Sequence, residues 1–265
     1  MFDTHCHLNF AVFTGQEDKV ISRANETGVN HFMIPGSDLD SSRKALQLTK
    51  EKTNLFAAVG IHPHHAQDNL DLKSLEKLIG QSKTSAVGEI GLDYHQYQKT
   101  KYNHCQIDDQ FKDQQKILFT KQVKLAKKYH QPIIFHNREA KKDFLAILTK
   151  NWCQDFQHRT VFHCCEPDLE LLEFAKKNHV FIGVDGDVTY QKKKSQFIKK
   201  VPLEMLVLET DSPYLTPNPV RKEKNFPNEP KNLIFIAQFT ANIKKISLED
   251  LVKQTSVNAQ RLFNL

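Results

Sequence analysis

The 265-residue sequence predicts an α/β fold, a (β/α)8 TIM barrel with extra C-terminal helices. Two observations carry that prediction. Short apolar runs alternate with longer stretches of helical periodicity, as parallel strands and their crossover helices require, and the count and length suit an eight-stranded barrel. Several of the apolar runs also end in His, Glu or Asp. No GxGxxG follows the first run, which removes the usual nucleotide-binding form of the competing doubly wound sheet.

The strand-like runs are FDTH (2–5), HFMIP (31–35), LFAAVG (55–60), SAVGEIG (85–91), PIIF (132–135), TVF (160–162), VFIGV (180–184) and LVLET (206–210). Helical stretches lie between them at 16–28, 40–51, 74–81, 110–130, 142–151 and 167–179. Gly28 and Asn178 are expected to stop helices, and Asp168 to start one. From about Asn232 on, two more helices are expected to complete the outer ring. With no Gly-, Pro- or Ser-rich linker and no low-complexity tract, residues 1–265 read as one domain.

Hydrophobic residues make up 39% of the chain, enough for a core. No run of about 18 apolar residues is present, so no membrane partner is expected. The N-terminal FDTHCHLNF lacks a basic and apolar leader pattern, so no signal peptide is expected. Five cysteines without framework spacing point to a reducing, cytoplasmic setting, and the absence of CxxC argues against a thiolate zinc site. The charge of +6, from 37 basic and 31 acidic residues, is mild and compatible with a phosphate-bearing partner.

In a parallel barrel all strand C-termini lie on one face, where barrel active sites are built. Run one ends in His5 and His7, which at spacing two point to the same side of a strand, with Cys6 facing the wall. Run three ends in His62, His64 and His65. Run four holds Glu89, a carboxylate inside an apolar strand that is costly unless paired or metal-bound. Runs five, six and eight lead to His136, His163 and Asp211. Each has an ordinary structural role available by itself, as a cap, a core histidine or a turn residue. Convergence on one ring of strand ends favours a metal site. Such donors suit Zn²⁺, Mn²⁺ or Mg²⁺, and one bridging carboxylate can hold two ions about 3.5–4 Å apart. An Asp beside the water could take its proton. No GxSxG elbow is present to suggest a covalent route.

DTHCHL, GIHPHHA, VGEIGLDY, PIIFHNREA, the lone His163 and LETDSPYLTP occur in the order of the TatD-family metal-dependent hydrolases (TatD-type DNases, within the amidohydrolase-like superfamily), which the chain resembles over essentially its whole length. RKEKNFPNEP and NAQRLFNL are similar to further parts of that pattern. The resemblance implies a TIM barrel, two divalent metal ions and 3′→5′ exonuclease activity on DNA, single-stranded ends included. It implies that His5, His7, Glu89 and Asp211 hold one metal. Glu89 would bridge to a second, completed by His136 and His163, and Asp211 would be the general base. His64 and Arg138 would contact substrate phosphate. One departure stands out: the family's H-x-F-S-G after the sixth strand is His163-Cys164-Cys165-Glu166-Pro167 here. A carboxylate at Glu166 would repel a phosphate unless it faces away.

The rival enzyme reading is a metal-dependent amide or ester hydrolase on the same scaffold, because fold does not settle chemistry. Lys192, Lys193 and Lys194, expected in the loop after run seven, and Arg221, Lys222 and Lys224 after run eight favour a nucleic-acid backbone. Tyr94, Tyr97 and Tyr214 offer base-stacking surfaces. A binding protein that has lost catalysis would lack a ligand, and none is missing. A cytoplasmic monomer acting on nucleic acid is the expectation.

Overall fold

The computed structural model describes residues 1–68, 70–98, 105–223 and 226–265. Its strands are β1 Phe2–Asp3, β2 His31–Pro35, β3 Leu55–Val59, β4 Thr84–Asp93, β5 Ile133–Arg138, β6 Thr160–Phe162, β7 Phe181–Val184 and β8 Leu206–Leu208. They pair in sequence order, every neighbouring pair parallel. The helices are α1 Glu17–Glu26, α2 Leu39–Leu48, α3 Leu72–Ile79, α4 Asp109–Lys128, α5 Lys141–Asn151, α6 Leu169–Asn178, α7 Lys192–Lys200, α8 Leu233–Lys244 and α9 Leu248–Phe263. The eight-stranded TIM barrel is the architecture expected. Asp168 caps α6 by accepting from the Glu170 and Leu171 amides. Asn178 is the last helical residue, and His179 takes the left-handed position that follows.

Each strand contributes a buried residue to the barrel interior: Phe2, Met33, Ala58, Ala86, Ile134, Val161, Phe181 and Val207. Ala259, Leu262 and Phe263 of α9 join that cluster from below. The last helix therefore plugs the N-terminal mouth, where the sequence suggested a further member of the outer ring. The reason is its apolar face: Phe263 meets the Phe2 ring at 5.8 Å, and Asn258 satisfies the Leu203 and Leu206 carbonyls at 3.0 and 2.7 Å. A second, larger core lies between the outward strand faces and the helices.

The seam between β1 and β8 closes through residues beyond the two short strands. The Thr4 amide donates to Leu208 O, the Asp211 amide to His5 O and the His7 amide to Ser212 O. Asp3 fastens this seam: one carboxylate oxygen accepts from the Thr210 amide at 3.0 Å, the other from the Thr210 hydroxyl at 2.6 Å. These bonds carry His5, His7 and Asp211 to the same end of the barrel.

Burial pushes the Asp3 carboxyl up to about 8, against the lowering effect of Thr210. Its folded value lies above the unfolded one, so its contribution to stability is full below about pH 4 and is lost as pH rises through about 8. Asp3→Asn keeps an acceptor, supplies a donor and removes the titration. Urea denaturation of both proteins is expected to show the parent's stability relative to the variant falling from pH 5 to pH 9. A difference independent of pH would mean that the carboxyl keeps its ordinary value.

Candidate active site

β1, β4, β5, β6 and β8 deliver His5, His7, Glu89, His136, His163 and Asp211 to one end of the barrel. Glu89, 5% exposed, stands at their centre. His7 Nε2 lies 3.6 Å from Glu89 Oε1, whereas His5 Nε2, His136 Nδ1 and His163 Nε2 lie 3.9, 3.4 and 3.6 Å from Oε2. His5 and His7 approach to 3.2 Å through their Nε2 atoms and lie 3.7 and 3.5 Å from Asp211 Oδ1. Two ligand atoms on one ion, each bonded at about 2.0–2.2 Å, sit roughly 3.0–3.6 Å apart. Most of these separations match that edge, so the residues present fit a divalent cation. Buried His136 Nδ1 and His5 Nδ1 have no hydrogen-bond partner, and His136 Nδ1 is turned toward Glu89. The His5 and His163 rings stack at 3.6 Å.

Most of these histidines are oriented from behind. His7 Nδ1 lies 3.3 Å from Pro35 O, His136 Nε2 3.1 Å from Asp93 Oδ2 and His163 Nδ1 3.3 Å from Glu209 Oε1. An acceptor at the far nitrogen fixes the tautomer and raises the basicity of the ligating one. Asp93 and Glu209, not singled out by the sequence, therefore stand behind two of the central histidines. Both were signalled by position: Asp93 is four residues past Glu89 on β4, hence on the same face, and Glu209 follows the apolar β8 run. Gly183 makes room for Glu209, since a Cβ there would lie 2.4 Å from its Oε1. Gly91, paired with His136 across β4 and β5, is required by close approach: a Cβ would lie 1.7 Å from His136 O.

Helix α4 anchors the loops around these groups. Gln115 exchanges both amide bonds with the Asp93 backbone at 2.8 and 2.8 Å, and Gln122 does the same with Ile61 at 2.8 and 2.9 Å. The two glutamines are seven residues apart, on one helix face. Asn228, fully buried, holds the Thr210 and Tyr214 carbonyls on either side of Asp211. Asp211 itself is in the left-handed region at φ 51°, a conformation that Asp and Asn tolerate.

Charge follows contact. Burial lowers His5, helped by the neighbouring His163. His136 is pushed up to about 10, because Asp93 and Glu89 outweigh the opposite effect of burial. Burial would raise Glu89 and Asp93, but His136 holds both well below the usual carboxylate range, with His62 acting on each and His64 on Asp93. Burial pushes Glu209 upward, and Glu209 raises His163 against its own burial.

The site opens into a cavity of 680 Å³ that Arg138, His62, Glu166, Lys194 and Tyr214 help to line. Three residues expected to contact substrate lie outside the lining of this cavity. His64 is not among the lining residues; it sits behind the site, 3% exposed, with Nε2 3.1 Å from Asp93 Oδ2, and His62 takes the lining position. The 3-10 turn Pro63–His65 holds the His64 ring stacked behind that of His62, with centroids 5.3 Å apart. Lys192 and Lys193 belong to the first turn of α7, not to a loop; both are exposed and outside the cavity lining. Helical rotation brings Lys194 inward instead, 3.1 Å from Asp185 and 3.3 Å from Asp187. Glu166 does line the cavity, with its oxygens taken by Asn137 Nδ2 at 2.9 Å and the Glu139 amide at 3.1 Å. Arg138 lies at the mouth, donating to the Tyr97 hydroxyl at 2.8 Å. Tyr97 and Tyr214 line the cavity and Tyr94 does not; Lys224 lies outside the described residues.

A parallel barrel with a ring of histidines and carboxylates at its strand ends is the build of a metal-dependent hydrolase. The chain belongs to the TatD related DNase family, whose model matches residues 2–264. It is 33% identical over 269 residues to YabD of Bacillus subtilis (strain 168), an uncharacterised metal-dependent hydrolase, covering 100% of this chain and 99% of that protein. It is 32% identical over 274 residues to the 3′-5′ ssDNA/RNA exonuclease TatD of Erwinia tasmaniensis, covering 100% of both. The crystal structure of YjjV, a TatD homologue from Escherichia coli K12, superposes with a TM-score of 0.87 at 28% identity, covering 100% of this chain and 98% of that one.

The outer carboxylates can be tested without a substrate. Glu209→Gln is expected to weaken Mn²⁺ binding by roughly 10–100-fold in calorimetric titration, the range for partners of ligating histidines. Unchanged affinity would show that Glu209 only fills space beside His163.

Proposed function

We propose that residues 1–265 form one divalent-metal-dependent hydrolase domain that cleaves phosphodiester bonds of nucleic acid, acting as a 3′→5′ deoxyribonuclease on single-stranded ends. One observation carries the reading. Glu89 turns one oxygen to His7 and the other to His5, His136 and His163, so both oxygens of a single carboxylate face ligand-type nitrogens. His5, His7, Glu89 and Asp211 would hold one ion, and Glu89, His136 and His163 a second, either being Mg²⁺, Mn²⁺ or Zn²⁺. With the ligating histidines neutral, as metal binding requires, the carboxylates Glu89, Asp93, Glu209 and Asp211 would carry a formal charge of −4 that two divalent cations balance. Bound there, the ions would activate water and stabilise charge on a displaced oxygen.

The residues have separable roles. Asp211, the more accessible of the two central carboxylates, takes the proton of the attacking water. Asp93 and Glu209 hold His136 and His163 in the required tautomers. Arg138 meets an incoming phosphate at the cavity mouth, and His62 lies deeper, beside His136, with ring centroids 4.4 Å apart. The exonuclease name of the Erwinia relative supports the choice of nucleic acid. The five free cysteines suit a reducing cytoplasm. No helix among the described residues is long and apolar enough to cross a membrane. One chain supplies every donor, which suits a monomer.

Metal-stripped protein resupplied with Mg²⁺, Mn²⁺ or Zn²⁺ is expected to shorten a 5′-labelled single-stranded DNA stepwise, and Glu89→Ala is expected not to. Asp211→Asn is expected to lose about 10²–10⁴-fold in rate, the usual share of a general base, while still retaining the oligonucleotide in a filter-binding assay. Metal-loaded protein that leaves DNA intact with all three ions would redirect the reading to an amide or ester substrate. Loss of binding together with cutting would make Asp211 structural.

A further inference from the structure

A second cleft of 430 Å³ adjoins the catalytic cavity, and the two share Tyr214 and Leu215 as a common wall. Among the described residues, the large apolar side chains left exposed include two aromatic rings, Tyr214 at 49% and Phe226 at 66%, and both line this cleft. Exposed apolar surface of this kind marks an interaction site when it is contiguous. Tyr190 adds a third ring, with the Arg221 guanidinium lying over it at 3.9 Å. Arg221 is the one charged residue among the lining residues described.

We propose that this cleft is a stacking site for an unpaired nucleobase flanking the nucleotide that is cut, with Arg221 meeting its phosphate. The inference rests on the nuclease reading and assigns a site within it. Aromatic faces and a flat guanidinium accept any base, because every base has a π-face. A planar aromatic ligand that carries an anion matches the three rings and single cation better than an apolar side chain would. The platform is also tied to the reaction centre. The Tyr214 amide donates to Asp211 O at 2.8 Å, closing a turn that keeps the two Cα atoms within about 7 Å. Asn228 pins the Tyr214 carbonyl at 2.6 Å. Phe10, which also lines the catalytic cavity, meets the Tyr214 ring edge-on at 6.4 Å. A strand leaving the metal floor along this wall thus meets Tyr214 first and then the cleft.

Binding would be read by fluorescence from a single-stranded DNA pentamer with 2-aminopurine next to its terminal nucleotide. Asp211→Asn protein would serve as the non-cutting parent. Quenching is expected on binding, and adding Phe226→Ala is expected to weaken affinity roughly 5- to 100-fold, the range for loss of one base stack. A pentamer abasic at that position is expected to bind the parent weakly and to be indifferent to Phe226→Ala. Equal affinity for all four combinations, in a protein whose native form still cuts DNA, overturns the stacking site and leaves the cleft as a surface for a protein partner. Failure of the native protein to cut or bind any DNA overturns the nuclease reading and this inference together.

Discussion

The structure is organised around a buried carboxylate. Glu89 lies inside β4, where a lone charge would cost far more than the fold could tolerate. It persists because nitrogens of His5, His7, His136 and His163 surround it at 3.4–3.9 Å. Those residues come from β1, β5 and β6 or their C-terminal extensions, so only a closed parallel barrel brings them to one point. The opposite mouth has the reverse character, being sealed by Leu262 and Phe263 of α9 against Phe2. One end of the barrel thus holds apolar packing and the other holds charge.

A charged centre is only as well placed as its supports. Each carboxylate behind the histidines depends in turn on an ordinary packing decision. Glu209 fits because residue 183 has no side chain. Asp93 stays in place because Gln115, fully buried on α4, satisfies its amide and its carbonyl. Buried polar networks of this sort are costly when partly satisfied and rigid when complete. The helix layer therefore contributes to the chemistry through Gln115 and Gln122, although neither approaches the central carboxylate.

The barrel was legible because alternation of apolar runs and helical stretches is a local signal repeated eight times. The central donors were legible because strand ends in a parallel barrel share a face. What stayed hidden depends on rotation within short turns. GIHPHH offers His62, His64 and His65, and nothing in the string says that the 3-10 turn sends His62 to the cavity and His64 behind Asp93. The KKK run at 192–194 posed the same problem: three identical residues are equivalent in sequence, but a helix makes one of them buried. Glu209 and Asp93 were hidden for a different reason. Each stands near a stronger signal, Asp211 or Glu89, and each acts on a histidine distant in sequence.

The Cys164-Cys165-Glu166-Pro167 segment bears on where negative charge can travel. Glu166 does not face away from the cavity, so it is part of the wall that a phosphate would meet. Beside it, Lys194 is buried between Asp185 and Asp187. Burial first, and then Asp185, pushes Asp187 upward. Lys194 holds Asp185 below the usual carboxylate range against its burial. Glu166 accepts from neutral N–H groups of Asn137 and Glu139. Arg138 stands at the mouth and Arg221 beyond Tyr214. Arg138 lies between Asn137 and Glu139, the two residues that engage Glu166, so a cation and an anion meet in one stretch of the cavity wall. The departure from the family pattern thus leaves His163 3.6 Å from Glu89 and adds a carboxylate to the cavity wall.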